Sequence, residues 1–270
     1  MKLSFCLTTY NKKELLEIVL ENYFANKKNH YQLIVSDGGS TDGTKEFLSD
    51  LHAQNLVDVL ILPDGRDKGE WEGYKKTLDH VQGDYFSFLT DDDYFDFSAI
   101  DRILYLLGKN PNIDYLVSDG LDFKLDRVEH SNYHHRFKKM NSTRTDINHL
   151  RDGVCGLGLF VRSRVIGHLE LFSPKFGRRT DKTVTVTLMN SDLVGSSTDI
   201  KTYVAIKNEK SNGYLYNYDF KNMEKQESLE RDIDKDFLCD TQNFRARFDM
   251  AKKLLDRFRT GTEEMLIYDS

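Results

Sequence analysis

Apolar and polar positions along the chain fall into two alternating patterns. Short apolar runs stand at 3–7, 33–35, 57–62 and 85–89, and between them apolar residues recur every three or four positions. Short bounded runs suit buried strands, whereas the longer periodic stretches suit helices with one buried face. Leu15, Leu16, Val19, Leu20 and Tyr23 make such a stripe over 13–25, and 44–54 and about 70–81 read as the next two helices. Each apolar run ends in small or charged residues: Thr8-Thr9-Tyr10-Asn11, then Asp37-Gly38-Gly39-Ser40-Thr41-Asp42-Gly43, then Asp64-Gly65-Arg66-Asp67-Lys68-Gly69, then Thr90-Asp91-Asp92-Asp93. Strand–helix alternation at this spacing predicts βαβ units, right-handed crossovers and a mostly parallel sheet flanked by helices. The polar endings then share the carboxyl edge of the sheet, where open α/β sheets bind ligands. The paired glycines 38 and 39 let the backbone approach a ligand closely, and Ser40, Thr41 or Asp42 can cap the helix that follows.

Past the fourth strand, 97–107 reads as a helix and 114–123 as another strand. Residues 124–150 are polar, rich in His, Asn and Arg and without a clear period, which predicts a loop that orders on substrate binding. A strand is expected at 154–161, helices at 165–172 and 181–190, and a short late strand at 204–207. In the last part, Phe237, Thr241, Phe244, Phe248, Ala251, Leu255 and Phe258 alternate by four and three, an apolar seam on one long helix. That seam must be covered: by the rest of the chain, across a homodimer, or by an anionic membrane surface.

Composition narrows the class. The chain has 270 residues, enough for one large domain or a domain with an appendage. With 39% hydrophobic and 30% charged residues it is globular in character, and no apolar run approaches the ~20 residues of a membrane span. A net charge of −6 counts against broad nucleic-acid binding but allows small anionic ligands, which need only local positive charge or a metal. Cys6, Cys155 and Cys239 are far apart and odd in number, which argues against a disulfide framework or a zinc site and for a reducing compartment. The first residues pass directly into a strand without the hydrophobic region of a signal peptide. The expected location is the cytoplasm, including a peripheral position at the inner face of the plasma membrane.

The densest chemistry is Asp91-Asp92-Asp93, which follows the run Tyr85-Phe86-Ser87-Phe88-Leu89 with only Thr90 between. Three adjacent anions repel one another, so a fold that gathers them at a strand end usually supplies a cation. Oxygen-only donors suit a hard divalent ion, Mg²⁺ or Mn²⁺. A hydrated acidic turn is the plain alternative.

In their order and spacing, Thr8-Thr9-Tyr10-Asn11, Asp37 to Gly43, Asp67-Lys68-Gly69, Gly83-Asp84-Tyr85 and Thr90 to Asp93 resemble the inverting GT-A glycosyltransferases of family 2. The resemblance covers roughly residues 1–190. It implies a GT-A (Rossmann-like) α/β fold over 1–220, with a nucleotide-sugar-binding half at 1–110, a more variable acceptor half at 111–220, and a C-terminal helical extension at 221–270. It implies transfer of a hexosyl or N-acetylhexosaminyl group from a nucleotide-diphosphate donor to a hydroxyl of a glycan or lipid-linked acceptor, in bacterial surface-polysaccharide synthesis. UDP-sugars are favoured, with GDP- and dTDP-sugars open, and Mn²⁺ or Mg²⁺ is the implied cofactor.

Carried over by position, Thr8 and Tyr10 line the nucleoside pocket with the Tyr10 ring against the base, and Asp37 accepts a hydrogen bond from a base N–H or the ribose. The acidic motif admits two registers. In one, Asp92 holds the metal, Asp91 faces the ribose or the metal's water shell, and Asp93 stands beside them; a literal Asp-x-Asp reading uses Asp91 and Asp93. The catalytic base falls on Asp181, after the turn 172–179. Thr180 stands where the family has Glu, and Lys75 where it often has Asn.

The chemistry explains these residue types. A nucleoside diphosphate leaves, so a cation must absorb charge developing on phosphate oxygens. An acceptor hydroxyl is a poor nucleophile, so a carboxylate must take its proton as it attacks. His134 and His135 are further candidates for a metal ligand, and Arg178 and Arg179 for the diphosphate or an anionic acceptor; each also reads as ordinary surface. Gly156-Leu157-Gly158 lacks the third glycine of a dinucleotide loop, and Gln242-Asn243-Phe244-Arg245 lacks the Trp of the processive synthases. Two other functions compete: a phosphohydrolase of the haloacid dehalogenase type, which expects Thr or Val where Phe95 stands, and a catalytically silent sugar-nucleotide-binding scaffold. Asp96 occupies the position where a calcium loop needs glycine.

Overall fold

The structure, a computed structural model, describes residues 1–123, 128–131, 134, 156–172, 180–206, 241–258 and 265–268. The first half is the expected alternation: β1 (Leu3–Thr9), α1 (Lys13–Asn26), β2 (Tyr31–Asp37), α2 (Thr44–Ala53), β3 (Val59–Ile61), α3 (Glu70–Leu78) and β4 (Tyr85–Leu89). These strands lie in the order β3–β2–β1–β4 and are all parallel. The register pairs Thr9 with Asp37 and Leu7 with Leu89, so the polar endings of β1, β2 and β4 come level at one edge.

Both faces of this half are covered, as parallel strands require. Phe5, Leu33 and Leu89 pack with Leu16, Leu20 and Ile100 on one face. Cys6, Ile34, Phe86 and Phe88 pack with Tyr74, Val184 and Leu188 on the other. Period-two alternation along each strand divides the side chains between the two cores.

Beyond β4 follow β5 (Tyr94–Phe95), α4 (Phe97–Lys109), β6 (Tyr115–Phe123), β7 (Val128–His130), β8 (Leu159–Arg162), α5 (Thr180–Met189), β9 (Gly195–Ile206), α6 (Thr241–Phe258) and β10 (Met265–Tyr268). The sheet continues β4–β8–β6–β9–β10, with β5 and β7 pairing off this path with β9 and β6. This half is mixed: β8 runs antiparallel to β4 and β6, while β6 and β9 are parallel. Asp96 caps α4 by accepting hydrogen bonds from the amides of Ser98 and Ala99.

Several expectations change: the segment expected to be a loop contains β7, and the strand expected at 154–161 begins only at Leu159. The helix expected at 165–172 is a 3₁₀ turn at Ser163–Val165 followed by a bend at Gly167, whose φ of 86° lies in the left-handed region that stops a helix. The late strand is twelve residues long rather than four, and the C-terminal segment adds a strand after its helix. Most of 124–150, the turn at 173–179 and Phe237 lie outside the described residues.

The seam of α6 is covered by the same chain. Phe244, Phe248, Ala251 and Leu255 are buried with Leu15, Ile18 and Val19 of α1, Tyr94 of β5, and Val204 and Ile206 of β9. Tyr94 and Phe248 meet edge to face at 5.2 Å. Among the described residues no helix is long and apolar enough to cross a membrane.

Candidate active site

The turns after β1 and β2 lock onto each other. Asn11 adopts φ 50°, a left-handed conformation that Asn tolerates better than most residues. Its amide donates to the Ser40 hydroxyl at 2.9 Å, and its side-chain oxygen accepts from the Thr41 amide at 2.7 Å. Asp37 is fully buried, and its carboxylate accepts from both the amide and the hydroxyl of Ser40. Asp42 accepts from the amides of Lys13 and Thr44, each at 3.1 Å. Burial opposes the charge on Asp42, but these bonds and one from the Thr44 hydroxyl hold its carboxyl below the usual carboxylate range.

The β3–α3 loop closes over this edge. The Gly38 amide donates to the Thr9 carbonyl at 2.8 Å, and the Asp67 amide donates to the Gly38 carbonyl at 3.0 Å. Tyr10 is half-buried, with the Arg66 guanidinium 4.6 Å from its ring centroid. Thr8 is also half-buried, and a Cβ added at Gly73 of α3 would lie 2.8 Å from its methyl group. Thr8, Tyr10 and Asp37 therefore stand at one edge, Asp37 beneath the surface as the residue that shapes the loop.

The acidic motif divides its three carboxylates. Asp93 is buried, accepting from the Thr90 hydroxyl at 2.7 Å and from the Ile206 amide of β9 at 2.8 Å. Asp91 Oδ1 and Asp92 Oδ2 converge on a single cation, the Lys12 ammonium, at 2.8 and 2.9 Å. Side-chain exposures of 9% for Asp91 and 17% for Asp92 put Asp92 nearer to solvent. Burial lifts the Asp91 carboxyl above the usual carboxylate range; Lys12 works against the lift and Asp92 adds to it. Burial also works against the Lys12 charge, yet the two carboxylates outweigh it and hold the ammonium above its ordinary value.

Lys12 is the residue at this edge that sequence reasoning did not single out. The available signal was its position: a lysine opening a helix where a Ser, Thr, Asp or Asn cap is expected. The pair it joins fits a divalent ion, because two carboxylate oxygens already converge on one cation and the donors are all hard oxygens. Among the described residues no group of three or more His, Cys, Asp or Glu side chains could hold a metal.

In the mixed half of the sheet's flanking layer, Asp181 falls in the first turn of α5. Val184 and Leu188 anchor that helix in the core that holds Phe88 of β4, three residues before Asp91. The side chains of 180–183 lie outside the described residues, as do Arg178, Arg179 and His135. His134 is held by its amide, which donates to the buried Asp119 at 2.7 Å, and by its Nδ1, 2.9 Å from the Ser197 hydroxyl. Those partners belong to β6 and β9 rather than to the acidic motif.

A PGL/p-HBAD biosynthesis glycosyltransferase of Mycobacterium tuberculosis is 26% identical over 136 residues, covering 46% of this chain and 53% of the relative. The match thus spans about half the length of that protein. Staphylococcus aureus TarS 1–349 in complex with UDP-GlcNAc superposes with a TM-score of 0.62 at 16% identity, over 98% of this chain and 77% of that one. Glucosyl-3-phosphoglycerate synthase from M. tuberculosis, in complex with Mn²⁺, UDP and glucosyl-3-phosphoglycerate, superposes with a TM-score of 0.50 at 15% identity, over 77% of this chain and 72% of that one. At such identities the likeness is one of fold, and the fold is GT-A. Residues 4–164, more than half of the chain and inclusive of every strand-end cluster described above, match the model of glycosyl transferase family 2, and to that family the chain belongs.

Proposed function

We propose that this chain is a metal-dependent inverting glycosyltransferase. In this reading it moves a hexosyl or N-acetylhexosaminyl group from a UDP-sugar to a hydroxyl of a glycan or lipid-linked acceptor in surface-polysaccharide synthesis. The observation that carries the reading is the convergence of Asp91 and Asp92 on one cation, at the edge where β1 and β2 end in Thr8, Tyr10 and Asp37. The UDP-GlcNAc complex of TarS and the Mn²⁺–UDP complex of the synthase support the donor and metal assignments.

Each residue takes a role that its surroundings suit. Thr8 and Tyr10 line the nucleoside pocket, and Asp37 holds its loop in shape through Ser40. Asp92, the more exposed of the converging pair, is the metal residue, with Asp91 beside it. Asp93, occupied by Thr90 and Ile206, buckles the motif to β9. Asp91 and Asp92 would hold a divalent ion there, which would supply positive charge for the departing diphosphate. Asp181 takes the proton of the acceptor hydroxyl as that oxygen attacks the anomeric carbon from the face opposite the diphosphate, which inverts the carbon.

Calorimetric titration of UDP with and without Mn²⁺ tests this. The unaltered protein should bind UDP tightly only when the metal is present. Asp92→Asn should fold, since its carboxylate lies at a partly solvated strand end, but lose the metal-dependent binding. Normal binding of UDP and Mn²⁺ by Asp92→Asn, with loss in Asp91→Asn, would move the metal to Asp91.

A further inference from the structure

Lys12 is an unusual residue for its place. It occupies the N-cap of α1 and offers no side-chain acceptor to the first turn. It also sets a positive charge at the positive end of the helix dipole. Local structure therefore gains nothing from a lysine here. The neighbouring Lys13 shows the ordinary alternative, a half-exposed side chain facing Glu17 at 3.8 Å. Lys12 instead turns inward, with 14% of its side chain exposed, and bridges Asp91 and Asp92.

We propose that Lys12 is a resident counter-cation of this carboxylate pair, which a divalent metal ion must displace in order to bind. The proposal rests on the reading of Asp91 and Asp92 as the metal site. Two carboxylates and one ammonium leave the cluster one charge short of neutrality, whereas a divalent ion balances the pair. Two cations drawn to the same pair of carboxylate oxygens repel each other, so binding of one weakens the hold of the other. The ammonium nitrogen already sits 2.8 and 2.9 Å from the oxygens that the ion would need at about 2.0–2.2 Å.

The backbone and side chain of Lys12 are held very differently, which makes the exchange mechanically simple. Its carbonyl accepts from the Leu16 amide at 2.9 Å, and the flanking residues are tied to Ser40, Thr41 and Asp42. Only the four-carbon stem has to swing, and its ammonium stays within reach of the same sheet edge. An anionic diphosphate arriving with the metal gives the displaced ammonium a new partner. Metal alone should therefore bind weakly, and metal with nucleoside diphosphate strongly, because the second ligand offsets the loss of the lysine pair.

The test is the dissociation constant for Mn²⁺, read from the free-ion electron paramagnetic resonance signal, with and without UDP. It is measured at constant pH in the unaltered protein and in Lys12→Gln, Lys12→Met and Lys12→Arg. Without UDP, the Gln and Met variants should bind Mn²⁺ roughly tenfold or more tightly than the unaltered protein, and UDP should improve that affinity less. Lys12→Arg, which keeps the charge, should stay near the unaltered value. In thermal melts, Mn²⁺ should raise the midpoint of Lys12→Gln and Lys12→Met by more than it raises that of the unaltered protein. Equal or weaker Mn²⁺ affinity in both uncharged variants, while the unaltered protein binds Mn²⁺, overturns the role of Lys12 and leaves the metal site standing. Failure of every protein to bind Mn²⁺ even with UDP overturns the metal site, and this proposal with it.

Discussion

Three consecutive aspartates fall into two kinds because they do not all face the same neighbour. Asp93 turns inward to a hydroxyl and a β9 amide, while Asp91 and Asp92 face one ammonium. Asp93→Asn keeps an oxygen for the Ile206 amide and gives the Thr90 hydroxyl a donor in place of an acceptor. Its stability and Mn²⁺–UDP affinity should stay near those of the unaltered protein. Asp93→Ala leaves the buried Ile206 amide without its acceptor and should cost roughly 1–3 kcal/mol in urea denaturation. Loss of Mn²⁺ binding in Asp93→Asn at unchanged stability would restore the literal Asp-x-Asp register. The sequence made the cluster and its strand-end position legible. It did not reveal the division of labour, because the spacing of identical residues says nothing about which of them meets β9, more than a hundred positions away. Lys12 was hidden for the same reason: its partners are close only after β1 and β4 pair.

At the scale of elements, legibility followed apolarity. β1, β2 and β4 are apolar runs and stood out. Most of β9 did not, since Gly195-Ser196-Ser197-Thr198-Asp199 reads as a turn. Yet Ser196, Ser197 and Thr198 are fully buried between β6 and β10. Hydroxyl pairing lets such a strand be buried, as Ser118 and Thr202 show, with their oxygens 2.6 Å apart. Close packing adds a second hidden requirement: a Cβ at Gly120 of β6 would lie 2.3 Å from the Tyr203 ring. The seam of α6 was legible because its period is long and its residues large, and its cover proved to be α1, β5 and β9. Phe248 is 5% exposed within that cluster, so Phe248→Ala should lower stability by about 3–5 kcal/mol. Arg245→Ala should have little effect, because its pair with Glu21 is largely solvated. A loss below about 1 kcal/mol for Phe248→Ala in urea denaturation would remove α6 from the folding core.

Across the whole molecule, the sheet changes from parallel to mixed pairing beyond β4. The parallel run β3–β2–β1–β4 ends in the residues proposed to hold the donor, and the mixed run beyond it carries α5 with Asp181. Two links join the halves near the acidic motif: the pairing of β5 with β9, and the bond from the Ile206 amide to Asp93. Asp181 therefore lies on an element built into the core beside β4, and on a different element from the turns after β1 and β2. This separation gives the proposed base a clear signature. Asp181→Asn is nearly isosteric and sits in the first turn of α5, where Asn is tolerated, so the fold and donor binding should persist. Its neutral amide cannot take a proton from the acceptor hydroxyl, so sugar transfer should slow by roughly 10²–10⁴-fold. UDP-sugar affinity by calorimetry and turnover should be measured on the same preparation. Unchanged turnover would exclude Asp181 as the base. Loss of donor binding together with turnover would place it in the donor site instead, against the proposed separation of donor binding from the base.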